Sequence, residues 1–495
     1  MKSIDTEKIV KADSKATTKK AKTSTDEVFD YDVIIIGGGL AGIFAGYELA
    51  SKSKNIKIAL LEQGNNISRR SCPIIDKKSD SCINCKSCGI MRGFGGAGAY
   101  SDGKFNFTTE FGGWLSDYLP NHEVMKMIEY VDAINVQFGA TEEVFSTFTP
   151  EADEIRKKAL GFDLHLLDAR CKHLGTERNK EILIKQSKWL TENIDLKCNT
   201  EVVSIDPIKG VEGYKVVARK SEFTCKYLIV APGRSGAEWF AEQCKKLKLD
   251  LINNQVDIGV RVEVPAAVFR DITDAVYEAK LQYRTKQYKD LVRTFCMNPY
   301  GYVVTENTDG IITVNGHSYT DPKLQSKNTN FALLVSNKFT SPFKAPYQYG
   351  KRIATLSNLL GGGVLVQRFG DLIDGRRTNE HRLDQGFISP TLDATPGDLS
   401  LVLPKRHLDN IIEMIYTLDK IAPGTANHDT LLYGVEVKFY SSRLKLTEEL
   451  ETPLKNMFAV GDGAGITRGL SQAGASGVIA ARSILKRLVN TNIKI

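Results

Sequence analysis

Four of the nine cysteines are gathered in one stretch: Cys82-Ile-Asn-Cys85-Lys-Ser-Cys88, with Cys72-Pro73 ten residues upstream of the run. Three thiolates at this spacing can occupy three corners of a cubane as a loop wraps it. A remote Cys-Pro as fourth ligand parallels the ferredoxin pattern, although here it precedes the run. Zinc accepts four thiolates too, but structural zinc sites usually come as two separated pairs. Cys72, Cys82, Cys85 and Cys88 are therefore read as ligands of a [4Fe–4S] cluster. Zinc, and free or redox-paired thiols, are the alternatives. The other five cysteines are scattered and read as small buried hydrophobes.

A second chemistry sits in glycines at the two ends of the chain. Tyr31-Asp-Val-Ile-Ile-Ile-Gly37-Gly-Gly39-Leu40-Ala41-Gly42 runs an apolar strand into a Gly-rich turn and then a helix. Gly37 allows the tight turn, Gly39 lets backbone approach a pyrophosphate, and Gly42 lets the helix pack on the strand. The strand Lys57-Ile-Ala-Leu-Leu61 then ends in Glu62-Gln63, where a carboxylate would accept hydrogen bonds from a ribose 2′-OH. Near the other end, Met457-Phe-Ala-Val-Gly461-Asp462 is a second strand with a Gly-Asp turn, and a helix opens around Ser471-Gln472-Ala473. One such turn implies only a dinucleotide. Both together imply FAD held along its length. Asp462 would accept a ribityl hydroxyl, and the helix start at Ser471 and Ala473 would face the flavin edge where negative charge develops. Gly95-Gly96 would let backbone pass close to the flavin ring, Gly233 ends a further strand, and Arg70 is a candidate for ribose or phosphate.

Catalytic candidates are fewer. Cys296 could face the flavin, and His317, together with Arg376-Arg377 and His381, could give a proton or bind an anion. The chain has no HExxH, GxSxG or Walker A motif, which disfavours metalloprotease, hydrolase and nucleotide-triphosphatase chemistry. It also lacks a second GxGxxG between a strand and a helix, as a dedicated NAD(P)H domain would need. Electrons would then come from the substrate, from transiently bound nicotinamide, or from a ferredoxin-like carrier through the cysteine loop.

The elements that must position these groups follow from length and pattern. At 495 residues the chain exceeds one compact core and implies two domains. Residues 1–30 are polar and charged, with too little apolar surface to order, and neither a signal nor a transit peptide is expected there. The reading is a cytoplasmic protein with a small-molecule substrate and neither a membrane nor a nucleic-acid partner. The net charge of +7 is dispersed. Its densest stretch, Tyr283 to Arg293, is read as a solvated helix face rather than an RNA contact. Helices are expected over Glu123–Val136, Thr176–Trp189 and Leu408–Leu418. Strands are expected over Leu196–Ile205, Tyr214–Ala218, Cys225–Ala231, Gly310–Val314 and Phe331–Val335.

This order resembles the glutathione-reductase-type FAD fold and, within it, the bacterial group of FAD-dependent dehydrogenases. The narrower resemblance rests on Gly93-Phe-Gly-Gly-Ala-Gly-Ala-Tyr-Ser-Asp-Gly-Lys104, Asp257-Ile-Gly-Val-Arg-Val262, Arg293-Thr-Phe-Cys296-Met-Asn-Pro299 and the Gly461-Asp462 stretch. The resemblance implies an α/β protein with a discontinuous Rossmann-like FAD-binding domain (31–251 and 433–495) and an inserted mixed α+β substrate domain (252–432). It also implies that the backbone at Val202 meets adenine. The expected activity is transfer of a hydride or electron pair between flavin and an organic substrate. Two other readings stand beside it: a flavin-bearing redox sensor or binding protein with structural zinc, and a flavoenzyme modifying RNA bases.

Overall fold

The apolar runs Val33–Ile36 and Ile58–Leu61 are too continuous for strands with one wet face, and both are covered on both sides. The computed structural model describes residues 29–492 except 74, 80–82, 84, 86, 253, 309, 320, 338, 340–344 and 442. In it, strand Tyr31–Ile36 pairs in parallel with Ile58–Leu61 on one side and Glu222–Val230 on the other. Asp195–Lys197 and Met457–Ala459 extend the two flanks, also in parallel. Tyr214–Ala218 and Val202–Pro207 continue past Glu222–Val230 by antiparallel pairing. The chain thus leaves the first strand to one side and returns much later on the other. In open parallel sheets that reversal opens a crevice at the carboxyl ends of the strands.

Helices Leu40–Lys52 and Leu470–Asn492 pack together over this sheet. Small residues permit the approach: a Cβ on Gly477 would stand 2.0 Å from the Ala41 carbonyl oxygen. Fully buried Val33, Ile34, Ile35, Leu228, Ile229 and Phe458 form the centre of this core. Each contributes about 1.5–3 kcal/mol of burial.

A second, eight-stranded sheet carries the cap. Its long central strand Val256–Pro265 is flanked by Asn328–Asn337 and Leu431–Phe439, both antiparallel. The sequence of that strand alternates. Val256, Ile258, Val260, Val262 and Val264 join the cap's apolar core, whereas Asp257, Arg261 and Glu263 point to the opposite face and are equally buried. The hairpin Tyr302–Thr308 and Ile311–His317 closes over the polar face: a Cβ on Gly316 would lie 2.3 Å from Arg261 Nη2.

Several sequence expectations shift. Strand Leu164–Leu166 pairs into the cap sheet, and helix Pro150–Leu160 packs in the cap core. A segment assigned by order to the first domain therefore crosses over, because its apolar residues find partners on the cap strand Leu281–Arg284. The stretch Tyr283–Arg293 is a hairpin between Leu281–Arg284 and Leu291–Asn298 rather than a helix. Tyr283 is buried there and donates to Glu413 at 2.7 Å, and Tyr288 donates to Asp409 at 2.7 Å. A period-two burial of Leu281 and Tyr283 overrides the charge density that suggested a helix. The expected strand Leu196–Ile205 is two strands, and the helix expected from Thr176 runs over Gly175–Asn193. Among the described residues no helix is long and apolar enough to cross a membrane.

Candidate functional site

Three glycine turns converge at the carboxyl ends of the central strands. Gly37 has φ +104°, and a Cβ on it would lie 2.0 Å from the Ala231 carbonyl oxygen, so the first turn is pressed against the turn ending at Gly233. A Cβ on Gly463 would lie 2.3 Å from the Gly233 carbonyl oxygen, and one on Gly461 would lie 3.1 Å from the Ala41 Cβ. Gly42 sits under its own turn, 2.0 Å from the Gly37 oxygen by the same measure. Gly39 and Gly233 differ: a Cβ on either would meet nothing within 4 Å. These two glycines face open space that the packing of the chain does not require. Buried Leu40 and Ala41 open the first helix, which has neither a side-chain cap nor an acidic residue in its first turn. A helix start whose N–H groups lack a protein partner is a ready anion site.

Glu62 braces this turn. Its Oε2 accepts from the Gly38 N–H at 2.7 Å, and its Oε1 accepts from Gly64 and Gly93 at 2.8 and 2.9 Å. Three of about four acceptor positions are used, which leaves one on Oε2 for a hydroxyl. Gln63 lies beside it, 3.5 Å from Ser235. The Thr200 N–H donates to the Glu62 carbonyl at 2.8 Å, so the strand start at Val202 lies near the same corner. Gly95 donates to the Gly38 carbonyl at 2.7 Å, and a Cβ on Gly96 would lie 3.2 Å from Gly39 Cα. The loop 93–98 thus runs along the open side of the first turn.

Arg70 is placed differently from its sequence reading. Its buried guanidinium donates to the carbonyls of Gly89, Ile90, Gly93, Phe94 and Gly96, stapling the end of the cysteine stretch to the glycine loop. Every donor bearing on those carbonyls is spent on backbone rather than on a phosphate. Cys72 and Cys88 are half-buried, Cys85 is exposed, and Cys82 lies outside the described residues. Among the described residues no group of three or more His, Cys, Asp or Glu is arranged to hold a metal ion.

On the far side, Asp462 Oδ1 accepts from Thr467 Oγ1 at 2.8 Å, and the Gly461 N–H donates to Ser476 Oγ at 3.1 Å. Desolvation raises the Asp462 pKa, against the opposing fields of Arg468 and Arg234. The terminal helix also has no acidic residue in its first turn, and Ser471 Oγ is buried there without a partner. Ala473 sits one turn in, held by its N–H to the Gly469 carbonyl at 2.9 Å. An open cradle at Gly39 and Gly233, two helix starts without an acidic residue in the first turn, and an orphaned hydroxyl are what an elongated anionic dinucleotide such as FAD would fill.

A concentration of buried charge joins the strand Lys104–Phe107 to the cap. Lys104 Nζ donates to the Met297 carbonyl at 2.7 Å and Asn298 Oδ1 at 2.9 Å, and stands 3.0 Å from Asp102. Desolvation would lower its pKa, but Asp102 and Glu278 outweigh it, and the ammonium is held well above its ordinary value. Tyr277 OH lies 2.9 Å from His173 Nδ1 and 3.1 Å from Ser318 Oγ. Burial lowers the His173 pKa to about 4. Cys296 has φ +46°, and its carbonyl accepts from Arg261 Nη2 at 2.6 Å. His317 ends the covering hairpin, and burial lowers its pKa. Lys104 and Arg261 act electrostatically on both Cys296 and His317, so the two share one neighbourhood. Arg376 and Arg382 instead pair with Asp371 elsewhere in the cap.

Sequence reasoning missed Asp102, Lys104, His173, Tyr277, Glu278 and Lys280. One signal was available for the neighbouring cap strand: Asp257, Arg261 and Glu263 recur on one face of an otherwise β-branched strand. Charges on one face of such a strand mean either solvent or a polar interior, and burial of the other face alone cannot separate them.

Residues 255–439 match the family model described as FAD-dependent protein, C-terminal domain-like, and residues 14–68 match that of the Thi4 family. The cofactor named by the larger match is FAD. No curated protein matches the chain. Similar solved structures include glycine oxidase from Geobacillus kaustophilus, at 13% identity, 92% of this chain, 95% of that chain and TM-score 0.39. Another is NikD, an unusual amino acid oxidase essential for nikkomycin biosynthesis, in its open form (11%, 92%, 94%, 0.38). PqsL of P. aeruginosa in complex with 2-aminobenzoylacetate is a third (9%, 93%, 88%, 0.41). The family match supports FAD as the cofactor, and the parallel sheet with its Gly-rich first turn is a Rossmann-type α/β arrangement.

Proposed function

We propose that this chain binds FAD across the three converging glycine turns and is an oxidoreductase acting on an organic substrate admitted from the cap side. The observation that carries the reading is the convergence of Gly37–Gly42, Gly233 and Gly461–Asp462 at the carboxyl ends of neighbouring parallel strands, with open space at Gly39 and Gly233. Gly39 and the first helix start would receive the pyrophosphate, Glu62 Oε2 the adenosine ribose, Asp462 the ribityl chain, and the start of the terminal helix the flavin edge. When bound, FAD supplies a two-electron acceptor and donor. The chain's own residues do the rest. The cap's polar face and the covering hairpin exclude bulk water, and Cys296 and His317 remain candidates for contact with substrate. His173, kept neutral by burial, lies within hydrogen-bond reach of Tyr277, which also contacts Ser318. Purified protein should show flavin absorbance that is released on denaturation. Saturable FAD binding absent from apo protein would defeat the reading.

The cysteine loop carries a finer part of the proposal: Cys72, Cys82, Cys85 and Cys88 hold a [4Fe–4S] cluster that feeds the flavin. Its support is the ligand spacing together with the Arg70 staple, which ties the end of that stretch to the loop beside Gly39. Anaerobically made protein should contain about four irons per chain, lost in Cys85→Ser with FAD retained. One zinc per chain would instead mark a structural site.

A further inference from the structure

We propose that an open groove at the outer end of the cap sheet is the mouth through which a small anionic organic substrate reaches the flavin edge. The proposal rests on the FAD reading, which places that edge at the start of the terminal helix.

The groove holds about 680 Å³, within the roughly 300–1,000 Å³ that small-molecule pockets span. Its floor is the strands Leu164–Leu166, Leu281–Arg284 and the start of Leu291–Asn298. On these strands His165, Gln282 and Leu291 alternate with Leu164, Tyr283 and Val292, which belong to the cap's apolar core. Register carries the same face across Leu334 to Gly259 on the long central strand, so the groove opens on the polar face that also bears Asp257 and Arg261.

A strip of accessible side chains runs inward from the groove. His165, Gln282 and Arg293 form one row across three strands. In the next row the Lys280 ammonium lies 4.4 Å from the centre of the Phe295 ring and 5.2 Å from that of Phe111. The Gly112 carbonyl, next to Phe111, accepts from the Arg468 and Gly469 N–H groups at 2.8 and 2.9 Å, so the strip ends at the start of the terminal helix. Exposure falls along it. Arg284, Lys286 and Lys289 are exposed, and Gln282, Phe295 and Phe111 are half-buried. Asp257 and Arg261, off the strip on the same face, are fully buried.

The unpaired charge sits at the mouth. Inside, Arg293 is paired with Asp257 and Lys280 with Glu278. Around the hairpin loop, Arg406 is paired with Asp290 at 2.6 Å and Lys405 with Asp409 at 2.7 Å. Arg284, Lys286 and Lys289 have no carboxylate within 4.0 Å among the described residues. Two carboxylates oppose them from further off: Asp163 in the groove wall, and Glu413, which accepts from the Tyr283 hydroxyl and the Lys286 N–H. Three cations against two carboxylates leave one positive charge, and a protonated His165 adds to it. A cleft of one sign concentrates the opposite ion and raises its encounter rate in a salt-dependent way. The ring faces of Phe295 and Phe111 then offer an apolar surface to an organic body.

Cys296, half-buried next to Phe295, is the reporter for the test. Its alkylation rates with iodoacetate and with iodoacetamide, reagents of like size and different charge, are read by peptide mass spectrometry on protein with and without bound FAD. The reporter does not need flavin, so a failure of FAD binding and a failure of this route are separate outcomes. Gln282→Trp, which fills the middle of the first row, should slow both reagents several-fold at unchanged Tm. Charge reversal at the three exposed positions, Arg284→Glu with Lys286→Glu and Lys289→Glu, should lower the iodoacetate-to-iodoacetamide ratio by about tenfold at low salt, and high salt should shrink that difference. If the tryptophan variant loses stability, the charge-reversed one decides alone. Wild-type rates in a stable Gln282→Trp protein, or an unchanged ratio after charge reversal, would overturn the proposal. So would a Cys296 that neither reagent reaches in the native protein, because the strip would then lead nowhere.

Discussion

At Asp462, burial and function pull in opposite directions. Desolvation disfavours its charged form, and only Thr467 Oγ1 and the more distant Arg468 and Arg234 compensate. A ribityl hydroxyl donating to this carboxylate would add a charge-assisted hydrogen bond worth about 1.5–3 kcal/mol. Asp462→Ala should therefore weaken FAD binding by about one to two orders of magnitude, read by quenching of flavin fluorescence on titration of apo protein. The glycine positions and Glu62 were legible because each answers to a local rule: a turn, a close approach, an acid at the end of the second strand. Arg70 was not legible. An arginine twenty-odd residues past the turn can reach a phosphate or five carbonyls, and only the folded path of residues 89–96 decides between them.

Among elements, the cap helix Lys405–Asp419 offers a sharp acid-sensitivity test. His407 is buried on it with neither ring nitrogen partnered, and burial lowers its pKa to about 4, with Asp290 opposing and Arg406 reinforcing. The unfolded chain binds the proton near pH 6.5 and the folded chain only near 4. The contribution of this neutral histidine is thus full above pH 6.5 and is lost as pH falls toward 4. The loss reaches about 3 kcal/mol. Urea unfolding at pH 7 and pH 4.5 should show wild type losing more stability than His407→Leu, by about that amount. A wild-type protein no more acid-sensitive than the variant would show the histidine to be solvated. The elements themselves were read unevenly. Long periodic runs such as Asn121–Gln137 and Lys405–Asp419 announce helices. The hairpin through Tyr283–Arg293 was hidden because its polar groups are taken up by tertiary partners: Arg293 by Asp257, Tyr288 by Asp409. Helix Pro150–Leu160 and strand Leu164–Leu166 crossed to the cap for a reason no local pattern holds, the pairing of Leu164 and Leu166 with Leu281 and Tyr283.

At the scale of the molecule, the parallel sheet supplies a cradle and the cap supplies a polar roof. Among the described residues no second Gly-rich turn of GxGxxG spacing runs from a parallel strand into a helix as Gly37–Gly42 does. Flavin in this protein should accordingly be reduced slowly by NADH or NADPH and faster by reduced ferredoxin, with stopped-flow bleaching of the flavin band as the readout. Rapid, saturable reduction by a nicotinamide would reveal a donor site that the sheet topology does not suggest. The central claim is that the open space at Gly39 belongs to a pyrophosphate, and a single methyl group addresses it. Gly39 has φ −76° and ψ −179°, a conformation alanine adopts freely, and its Cβ would touch nothing within 4 Å. Apo Gly39→Ala should fold with wild-type thermal stability, whereas Gly42→Ala, with its Cβ 2.0 Å from the Gly37 oxygen, should lose stability outright. The deciding measurement is the dissociation constant of FAD for apo wild type and apo Gly39→Ala at matched Tm. The account predicts one saturable FAD per wild-type chain and at least tenfold weaker binding in the variant. Equal FAD affinity in the two proteins, or none in wild type, would contradict it.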